Sequence, residues 1–352
     1  MLATTPITIE GRFFIRDGTR FNIRGVVYQP LRTARKVATN EDFDPLADRH
    51  LHELRKDIVL FKELGINAIK VYRFLPSLSH DAAFGALAEA GIYVLIGLSN
   101  PYQCINRMRP YESYTTELVN SYVQTIDGLA KYDNILGVVA SDVLINNAQS
   151  TEAAPVIRAV VRDIKRHMNR QYELKGQRIL PVGIGDEKYA SSSTDSIDYF
   201  TAGDKNEQID FYSFTKYDRV EDSATYWDEV MQCFAVRHIP IFVSEYGCNV
   251  SRPREWQETP ALFSPGVSRV LSGGFAYDFI EGANHYGLVT ANGQKLPDFD
   301  NLKERLRDLP TVEDLSADDA EIVSGIEESG FPPVSEAWRA SSDIPASLLS
   351  VT

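Results

Sequence analysis

Three features that place a protein in a broad class are scarce in this chain of 352 residues: cysteine, long apolar runs and positive charge. The three cysteines, Cys104, Cys233 and Cys248, allow at most one bridge, which excludes a disulfide-stapled scaffold. No apolar stretch approaches the ~20 residues that a membrane span needs. Lys and Arg number 36 against 49 Asp and Glu, and the net charge of −13 disfavours nucleic acid and anionic membranes as partners. A neutral oligosaccharide or small molecule is compatible with this charge.

The amino-terminal residues, Met1–Pro6, lead directly into a strand-like segment. They contain neither the basic nor the apolar region of a secretory signal peptide. Sparse cysteines also usually behave as small buried hydrophobic residues. We therefore expect a cytoplasmic protein, with a secreted or cell-wall protein that has lost its signal peptide as the alternative.

The order of apolar runs and amphipathic stretches predicts a (β/α)8 TIM barrel preceded by a β-hairpin. Asp17-Gly18 is a turn signal between the strand-like segments Ile7–Ile15 and Phe21–Ile23. Downstream, eight strand-like runs alternate with helical patterns, as expected of parallel strands joined by helices. A doubly wound sheet is the rival fold, but no Gly-rich phosphate loop follows the first strand. The eight predicted strands are Gly25–Tyr28, Ala68–Tyr72, Tyr93–Gly97, Leu136–Asp142, Ile179–Gly183, Asp210–Phe214, Ile241–Glu245 and Gly274–Phe279.

The composition changes near residue 311. Residues 311–328 are rich in Asp, Glu, Ser and Ala, and Pro332, Pro333 and Pro345 follow them. Such a composition is typical of an acidic tail that is partly helical or disordered. We therefore predict a catalytic barrel over residues 1–310 and an acidic tail over residues 311–352.

Two apolar runs of the predicted barrel end in a carboxylate. Ile239–Val243 continues into Ser-Glu-Tyr-Gly, which contains Glu245, and Ile135–Ala140 continues into Ser-Asp, which contains Asp142. The C-terminal ends of the strands are where a (β/α)8 enzyme carries its catalytic residues. Two carboxylates on different strand ends are typical of glycosidic-bond chemistry, with one acid and one nucleophile.

Seven short blocks of sequence follow one another in an order that points to a known family. They are Gly25–Pro30, Asp44–Asp48, Ile105–Arg107, Ser244–Asn249, Arg252–Arg254, Ser272–Gly274 and Leu296–Phe299. These blocks resemble, in order, the landmarks of the fungal β-1,3-glucanosyltransferases, glycoside hydrolase family 72. The resemblance spans about residues 7–305. It implies a retaining barrel enzyme that cleaves a β-1,3-glucan and passes the glycosyl unit to another glucan end, with no metal or organic cofactor.

Carried over position by position, the resemblance implies Glu245 as the nucleophile and puts Asp142 at the acid/base position. Further residues fall where the family is expected to bind substrate, through aromatic faces or through groups that bond sugar hydroxyls. For an isolated tyrosine, packing in the core is the alternative. Those residues are Tyr28, Gln29, Tyr72, Tyr217 and Tyr277, with Asn106 as a candidate for sugar hydrogen bonding. We add as predicted binding residues Ser141 and Tyr246, beside the two carboxylates, and His285, which follows the last strand.

The acid/base position departs from the family pattern. An Asn-Glu pair is expected after the fourth strand, whereas Ser141-Asp142 stands there in a strand one residue shorter. Asp is roughly 1.5 Å shorter than Glu, while the two carboxyl groups of a retaining site lie only ~5–5.5 Å apart. A misplacement of about 1 Å can cost on the order of a hundredfold in rate. We therefore expect weakened activity.

Other departures affect the predicted substrate cleft. Gly97 and Thr215 stand where the family has an acidic residue and an Asn. Arg219 and Leu271 each stand where it has a Trp. Because stacking aromatics hold pyranose faces, their loss argues against a long glucan as substrate.

The cysteine pattern departs as well. Leu54, Ala202 and Val220 stand where the secreted family is expected to pair cysteines. Missing partners are harmless where disulfides do not form, which again favours the cytosol. The glycosylation sequon Asn249-Val250-Ser251 supports the secreted alternative.

Three functions therefore remain open. The first is transglycosylation of β-1,3-glucan by Glu245 and Asp142. The second is a repurposed intracellular enzyme in which both act as general acid and base on a small non-glucan metabolite, by cyclisation, dehydration or isomerisation. The third is non-catalytic carbohydrate binding. Asp278 and Glu281, near the end of the last strand, are alternative carboxylates if Asp142 does not reach the substrate.

Overall fold

The computed structural model describes residues 4–29, 43–100, 103–186, 192–217, 223–310 and 330–349. Pro30, Arg219, Val220 and residues 311–329 of the predicted tail, all considered above, lie outside the described residues. Within the described residues, a small antiparallel sheet precedes a closed parallel barrel, and an irregular segment follows it.

The amino-terminal sheet closes one end of the barrel. Its antiparallel strands are β1 (Thr8–Glu10), β2 (Phe13–Arg16) and β3 (Thr19–Arg20). Asp17 and Gly18, both with positive φ, form the tight turn between β2 and β3, which confirms the predicted hairpin. The segment predicted at Ile7–Ile15 is, however, divided into β1 and β2, and the strand after the turn is Thr19–Arg20 and not Phe21–Ile23. The Phe14 ring lies 6.0 Å from the rings of Phe211 and Phe242 inside the barrel, so the sheet and the barrel share one core.

Eight parallel strands close into a barrel, which confirms the predicted (β/α)8 fold. They are β4 (Ile23–Val27), β5 (Ala68–Val71), β6 (Tyr93–Gly97), β7 (Ile135–Asp142), β8 (Val182–Asp186), β9 (Phe211–Lys216), β10 (Ile241–Tyr246) and β11 (Gly273–Ala276). Each strand pairs with the next along the chain, and β11 pairs with β4 to close the ring. The strand predicted at Ile179–Gly183 begins three residues later, at Val182, because Pro181 has no N–H to donate to a strand ladder.

Helices surround the barrel. The described helices are α1 (Leu51–Leu64), α2 (Asp81–Glu89), α3 (Pro110–Ser113), α4 (Thr116–Leu129), α5 (Ala154–Lys175), α6 (Ser192–Thr201), α7 (Ser223–Phe234), α8 (Glu258–Leu262), α9 (Pro265–Ser268) and α10 (Pro297–Arg307). Helices α1 and α5 end at Gly65 and Gly176, whose left-handed backbone suits glycine at this position. Helix α4 begins after Thr115, whose side chain accepts a hydrogen bond from Leu118 N. In the described part of the chain, no helix has both the length and the apolar character needed to cross a bilayer.

Bulky rings fill the lower part of the barrel interior. The rings of Phe242 and Phe211 lie 5.6 Å apart, and those of Phe242 and Phe275 lie 5.9 Å apart. Gly25 and Gly183 leave the room for them, because a Cβ at either position would collide with a phenylalanine ring. The apolar filling ends below the C-terminal ends of the strands, so polar side chains are confined to that end.

Residues 330–349, here called the C-terminal segment, run without helix or strand along the outside of the barrel. Trp338 is fully buried there. Tyr199 of α6 donates a hydrogen bond to Ser341 O at 2.5 Å, and Arg162 of α5 donates one to Pro345 O at 2.7 Å. The segment is therefore packed against α5 and α6. The division of the chain at residue 310 stays a prediction.

Candidate active site

The two carboxylates singled out in the sequence both follow a β-bulge. The pairing of β7 with β8 shifts register just before Asp142, and the pairing of β10 with β9 shifts register just before Glu245. Bulges next to functional sites commonly re-aim a side chain. Beyond the bulges, Asp142 pairs with Gly185 and Glu245 pairs with Thr215. The two strands thus bring both side chains to the C-terminal end of the barrel.

Glu245 is held by two tyrosine hydroxyls. Tyr72 donates a hydrogen bond to Oε1, and Tyr217 donates one to Oε2 at 2.8 Å. Burial, reinforced by the charge of Glu245, raises the pKa of both tyrosines, so both hydroxyls keep the proton that they donate. The Glu245 side chain is 14% exposed. Its carboxylate is therefore fixed in orientation and still open to the cleft, as a nucleophile must be.

Lys70 lies between the two carboxylates. Its Nζ is 2.7 Å from Asp142 Oδ2 and 3.6 Å from Glu245 Oε1, and its side chain is 1% exposed. Burial lowers the pKa of Lys70, but the two carboxylates more than offset this, and the net pKa is raised. The sequence analysis missed this residue. The available signal was a single charged residue in the apolar strand β5, on the same face as Tyr72 two positions later.

Asp142 is turned away from solvent. Its side chain is 11% exposed, yet neither carboxylate oxygen is reached by water. Oδ1 lies against Gly185, where a Cβ would collide with it. The sum of the two Lys70 distances, 6.3 Å, is an upper limit on the separation of Asp142 Oδ2 and Glu245 Oε1. The two carboxylates are thus close enough to act on one bond.

Three tyrosines form an aromatic wall beside Glu245. In this tyrosine cluster, the ring of Tyr217 lies 6.1 Å from Tyr277 and 5.6 Å from Tyr286, and those two lie 5.3 Å apart. All three pairs meet edge to face, which is a favourable arrangement for aromatic rings. Burial, reinforced by nearby carboxylates, raises the pKa of Tyr277 to about 12. The sequence analysis had not singled out Tyr286.

Arg254 fixes the backbone that carries the tyrosine cluster. Its guanidinium donates hydrogen bonds to Tyr277 O at 2.6 Å and Tyr286 O at 2.5 Å. It also pairs with Asp298 of α10, with Nε 2.5 Å from Oδ1. A fully buried, multiply bonded guanidinium of this kind holds its partners rigidly. The position of two cluster rings therefore depends on Arg254.

A barrel with carboxylates on two strand ends suits many glycoside hydrolases, so comparison with known proteins decides the family. The sequence model of the glucanosyltransferase family, glycoside hydrolase family 72, matches residues 1–310. This chain belongs to glycoside hydrolase family 72.

Individual relatives agree with the family assignment. The chain is 37% identical to 1,3-beta-glucanosyltransferase gel1 of Aspergillus fumigatus over 306 residues, covering 85% of this chain and 65% of gel1. It is 34% identical to 1,3-beta-glucanosyltransferase gas1 of Schizosaccharomyces pombe over 351 residues, covering 97% of this chain and 63% of gas1. The structure of Saccharomyces cerevisiae Gas2p in complex with laminaripentaose matches with a TM-score of 0.84 at 31% identity, over 98% of this chain and 77% of that one. The family 72 chain thus spans just under two thirds of the length of these curated relatives.

The expected cytoplasmic location is wrong. The homologues of this chain are fungal cell-wall or secreted glucanosyltransferases. The three cysteines form no disulfide, and Leu54 and Ala202 are buried core residues. A barrel of this size buries enough apolar surface to be stable without disulfides. The small number of cysteines therefore does not indicate whether this family 72 chain is cytoplasmic or secreted.

Tyr28 and Tyr246 lie in the layer between the strands and the helices. Tyr28 donates a hydrogen bond to Asp57 Oδ2 of α1 at 2.8 Å. The Tyr246 ring meets Trp256 edge to face at 5.9 Å. Both tyrosines are fully buried. The structure therefore does not bring either ring beside Glu245.

Among the residues described, three other predicted binding residues make no hydrogen bond to either carboxylate. Asn106 Oδ1 accepts a hydrogen bond from Met108 N at 2.9 Å and so caps its own loop. Gln29 has a buried Oε1 without a protein partner. Ser141 pairs with Ile184, whose side chain belongs to the outer core, so Ser141 faces that layer.

The loop after β11 carries the remaining candidates. The Nδ1 atom of the exposed His285 lies 2.9 Å from Glu281 Oε1, and Glu281 Oε2 accepts a hydrogen bond from Gly287 N at 2.7 Å. Glu281 is thus bound within its own loop. Asp278 is buried, and burial, reinforced by the charge of Glu245, raises its pKa to about 8. Within the described ranges, no group of three or more His, Cys, Asp or Glu side chains is arranged to hold a metal ion.

Proposed function

We propose that this chain is a β-1,3-glucanosyltransferase that cleaves a β-1,3-glucan and transfers the glycosyl unit to another glucan end, with retention at the anomeric carbon. The observation that carries the proposal is Glu245, held by two tyrosine hydroxyls at the C-terminal end of a family 72 barrel. The likeness to Gas2p, whose structure contains laminaripentaose, supports laminari-oligosaccharides as the substrate class. The comparisons do not favour a repurposed metabolic enzyme or a non-catalytic binding protein.

In the first step, a Glu245 oxygen attacks the anomeric carbon, and the bond from that carbon to the leaving glucan oxygen breaks. Tyr72 and Tyr217 keep the attacking carboxylate oriented. The leaving oxygen takes a proton, for which Asp142 is the proposed source. Its distance limit of 6.3 Å from Glu245 is compatible with the ~5–5.5 Å carboxyl separation of retaining enzymes. The product of this step is a glycosyl ester of Glu245.

In the second step, a hydroxyl oxygen of the acceptor glucan attacks the same carbon. The ester bond breaks, its electron pair returns to Glu245, and the hydroxyl proton passes to Asp142. Two inversions at one carbon give net retention. The tyrosine cluster offers apolar ring surface to an incoming pyranose, which favours a sugar over water as the acceptor.

The test is the length distribution of reduced laminari-oligosaccharides after incubation with the protein, followed by mass spectrometry. We expect longer and shorter products from the wild type and no change with Glu245→Gln, because the amide keeps the shape of the side chain but removes its charge. Glu10→Gln alters an exposed glutamate on β1, in the sheet outside the barrel, and is the matched control that retains transfer. Unchanged lengths with folded wild-type protein would refute the proposal.

A further inference from the structure

Lys70 joins the two carboxylates of the site into one electrostatic unit. Its ammonium contacts Asp142 Oδ2 at 2.7 Å and approaches Glu245 Oε1 at 3.6 Å, in a position almost closed to solvent. A buried ion pair of this kind often gives no more stability than a well-packed apolar residue of similar volume. The presence of a charge at this inner position of β5 therefore calls for a role in the chemistry.

Asp142 is poorly placed for the proton transfer to the leaving group that the proposed function assigns to it. A general acid needs a proton and a path from that proton to the leaving oxygen. Neither Asp142 oxygen is reached by solvent, because Oδ2 lies against the Lys70 ammonium and Oδ1 lies against Gly185. A proton on Oδ2 would also replace the contact with Lys70 and so cost the ion pair.

We propose that Lys70 is a positioning residue that sets the donor specificity of this chain. By binding Asp142 Oδ2 in a position closed to solvent, it makes protonation of the leaving group the slow event. Donors whose leaving group departs without a proton, such as aryl β-laminaribiosides of acidic phenols, are then the fast substrates. This inference rests on the proposed glucanosyl transfer and specifies the class of donor.

The bonds and charges balance for such a donor. A Glu245 oxygen bonds to the anomeric carbon, and the carbon–phenol bond breaks with its electron pair on the phenolate oxygen, so no proton is consumed. An acceptor hydroxyl then displaces Glu245, whose carboxylate recovers the electron pair. The hydroxyl proton passes to Asp142. The second proton transfer is the reverse of the first, so the contact with Lys70 slows it as well; kcat/KM, however, measures only the steps up to the glycosyl ester of Glu245.

The test is the dependence of kcat/KM on the acidity of the leaving phenol, from 2,4-dinitrophenyl to 4-methylphenyl β-laminaribioside. In the wild type we expect a steep dependence, with the 4-methylphenyl donor at least about a hundredfold slower, since acid catalysis normally contributes ~10²–10⁴-fold. Lys70→Gln is neutral and of similar length, so it removes the ion pair with Asp142. In this variant we expect the ratio of kcat/KM between the 2,4-dinitrophenyl and 4-methylphenyl donors to fall tenfold or more. This ratio of two kcat/KM values is unaffected by any change at Glu245 that slows all donors equally. Lys165→Gln, which removes a lysine paired with Asp210 at 2.6 Å, is the matched control. In this variant kcat/KM should depend on the acidity of the leaving phenol as steeply as in the wild type.

Each outcome separates the inference from the proposed function. A shallow dependence in the wild type, or unchanged steepness in folded Lys70→Gln, would overturn the role of Lys70. Should Lys70→Gln not fold, Asp142→Asn serves instead: selective slowing of the 4-methylphenyl donor would show working acid catalysis and contradict the inference. A 2-deoxy-2-fluoro dinitrophenyl donor tests the nucleophile itself by labelling the peptide that contains Glu245. Labelling with a shallow dependence refutes the inference alone, whereas no labelling and no turnover of any donor refute the function.

Discussion

Asp278 should make the stability of this protein fall as the pH rises. The side chain is 8% exposed, and its Oδ1 has no partner among the residues that the structure describes. Burial is the main cause that raises its pKa to about 8, and the charge of Glu245 adds to it. An unfolded Asp titrates near pH ~3.9. Between these two values the folded chain keeps a proton that the unfolded chain has lost.

The sign and size of the effect follow from this proton. Because Asp278 binds more protons in the native state than in the unfolded state, its contribution to the free energy of unfolding is fully present below pH ~4 and is lost as the pH rises to about 8. One such group contributes a slope of roughly 1.4 kcal/mol per pH unit, hence just under 3 kcal/mol between about pH 5 and pH 7. In Asp278→Asn the side chain is neutral at every pH. The variant should therefore gain stability relative to the wild type by about that amount over this range.

Urea unfolding of both proteins at several pH values between 5 and 8 measures this difference. All other groups titrate in both proteins, so the difference between the two curves isolates Asp278. Asp300→Asn, which alters an exposed carboxylate on α10, is the matched control and should run parallel to the wild type. Parallel curves for Asp278→Asn as well would show that Asp278 is ionised in the folded protein and would refute the argument.

Two further substitutions test other contacts. Tyr217→Phe removes a hydrogen bond to the Glu245 carboxylate, worth about 1.5–3 kcal/mol for a charged partner, so kcat/KM for laminari-oligosaccharide transfer should fall about ten- to a hundredfold. Tyr286→Phe changes a ring of the same cluster whose hydroxyl makes no hydrogen bond to Glu245 in the described structure, and an equal loss there would contradict this reasoning. Trp338→Ala empties a fully buried site under the C-terminal segment and should lower the free energy of unfolding by about 3–5 kcal/mol, measured in urea. Val334→Ala, at an exposed position of the same segment, should cost about 0.5 kcal/mol or less, and equal small losses would show that the segment does not dock.

The fold could be predicted because each barrel strand is buried on both faces and is therefore a nearly continuous apolar run. All eight predicted strands overlap the observed ones. The largest error, at Ile179–Gly183, arose because apolar content alone does not report where a ladder begins. Pro181 carried the missing information, since a residue without an N–H cannot sit inside a parallel ladder. The closure of the barrel and the packing of the C-terminal segment depend on contacts distant in sequence.

The site was only partly readable from the sequence. Glu245 was singled out from its place at a strand end. Lys70 was missed although a lone charged residue in an apolar strand was a signal, because nothing local shows that it lies between the two carboxylates. Strand parity could have indicated that Tyr246, directly after Glu245, points to the opposite face. The same alternation of side chains along a strand would have predicted the wrong face for Ser141, because the bulge before Asp142 interrupts that alternation. Bulges depend on the pairing of neighbouring strands, and a single sequence does not report that pairing.

The chemistry of Lys70, Asp142 and Glu245 depends on which of these residues holds a single proton. A retaining glycosidase begins its cycle with a charged nucleophile and a protonated acid, which together carry one negative charge. Lys70, Asp142 and Glu245 also carry one negative charge in total, but here the proton lies on the lysine. The raised pKa of Lys70 means that this proton is held more tightly than on a free lysine. Acid catalysis would therefore require its transfer across the 2.7 Å contact to Asp142 and the loss of that ion pair. In the proposed mechanism Glu245 is placed for its attack, and the rate then depends on how much the leaving group needs that proton.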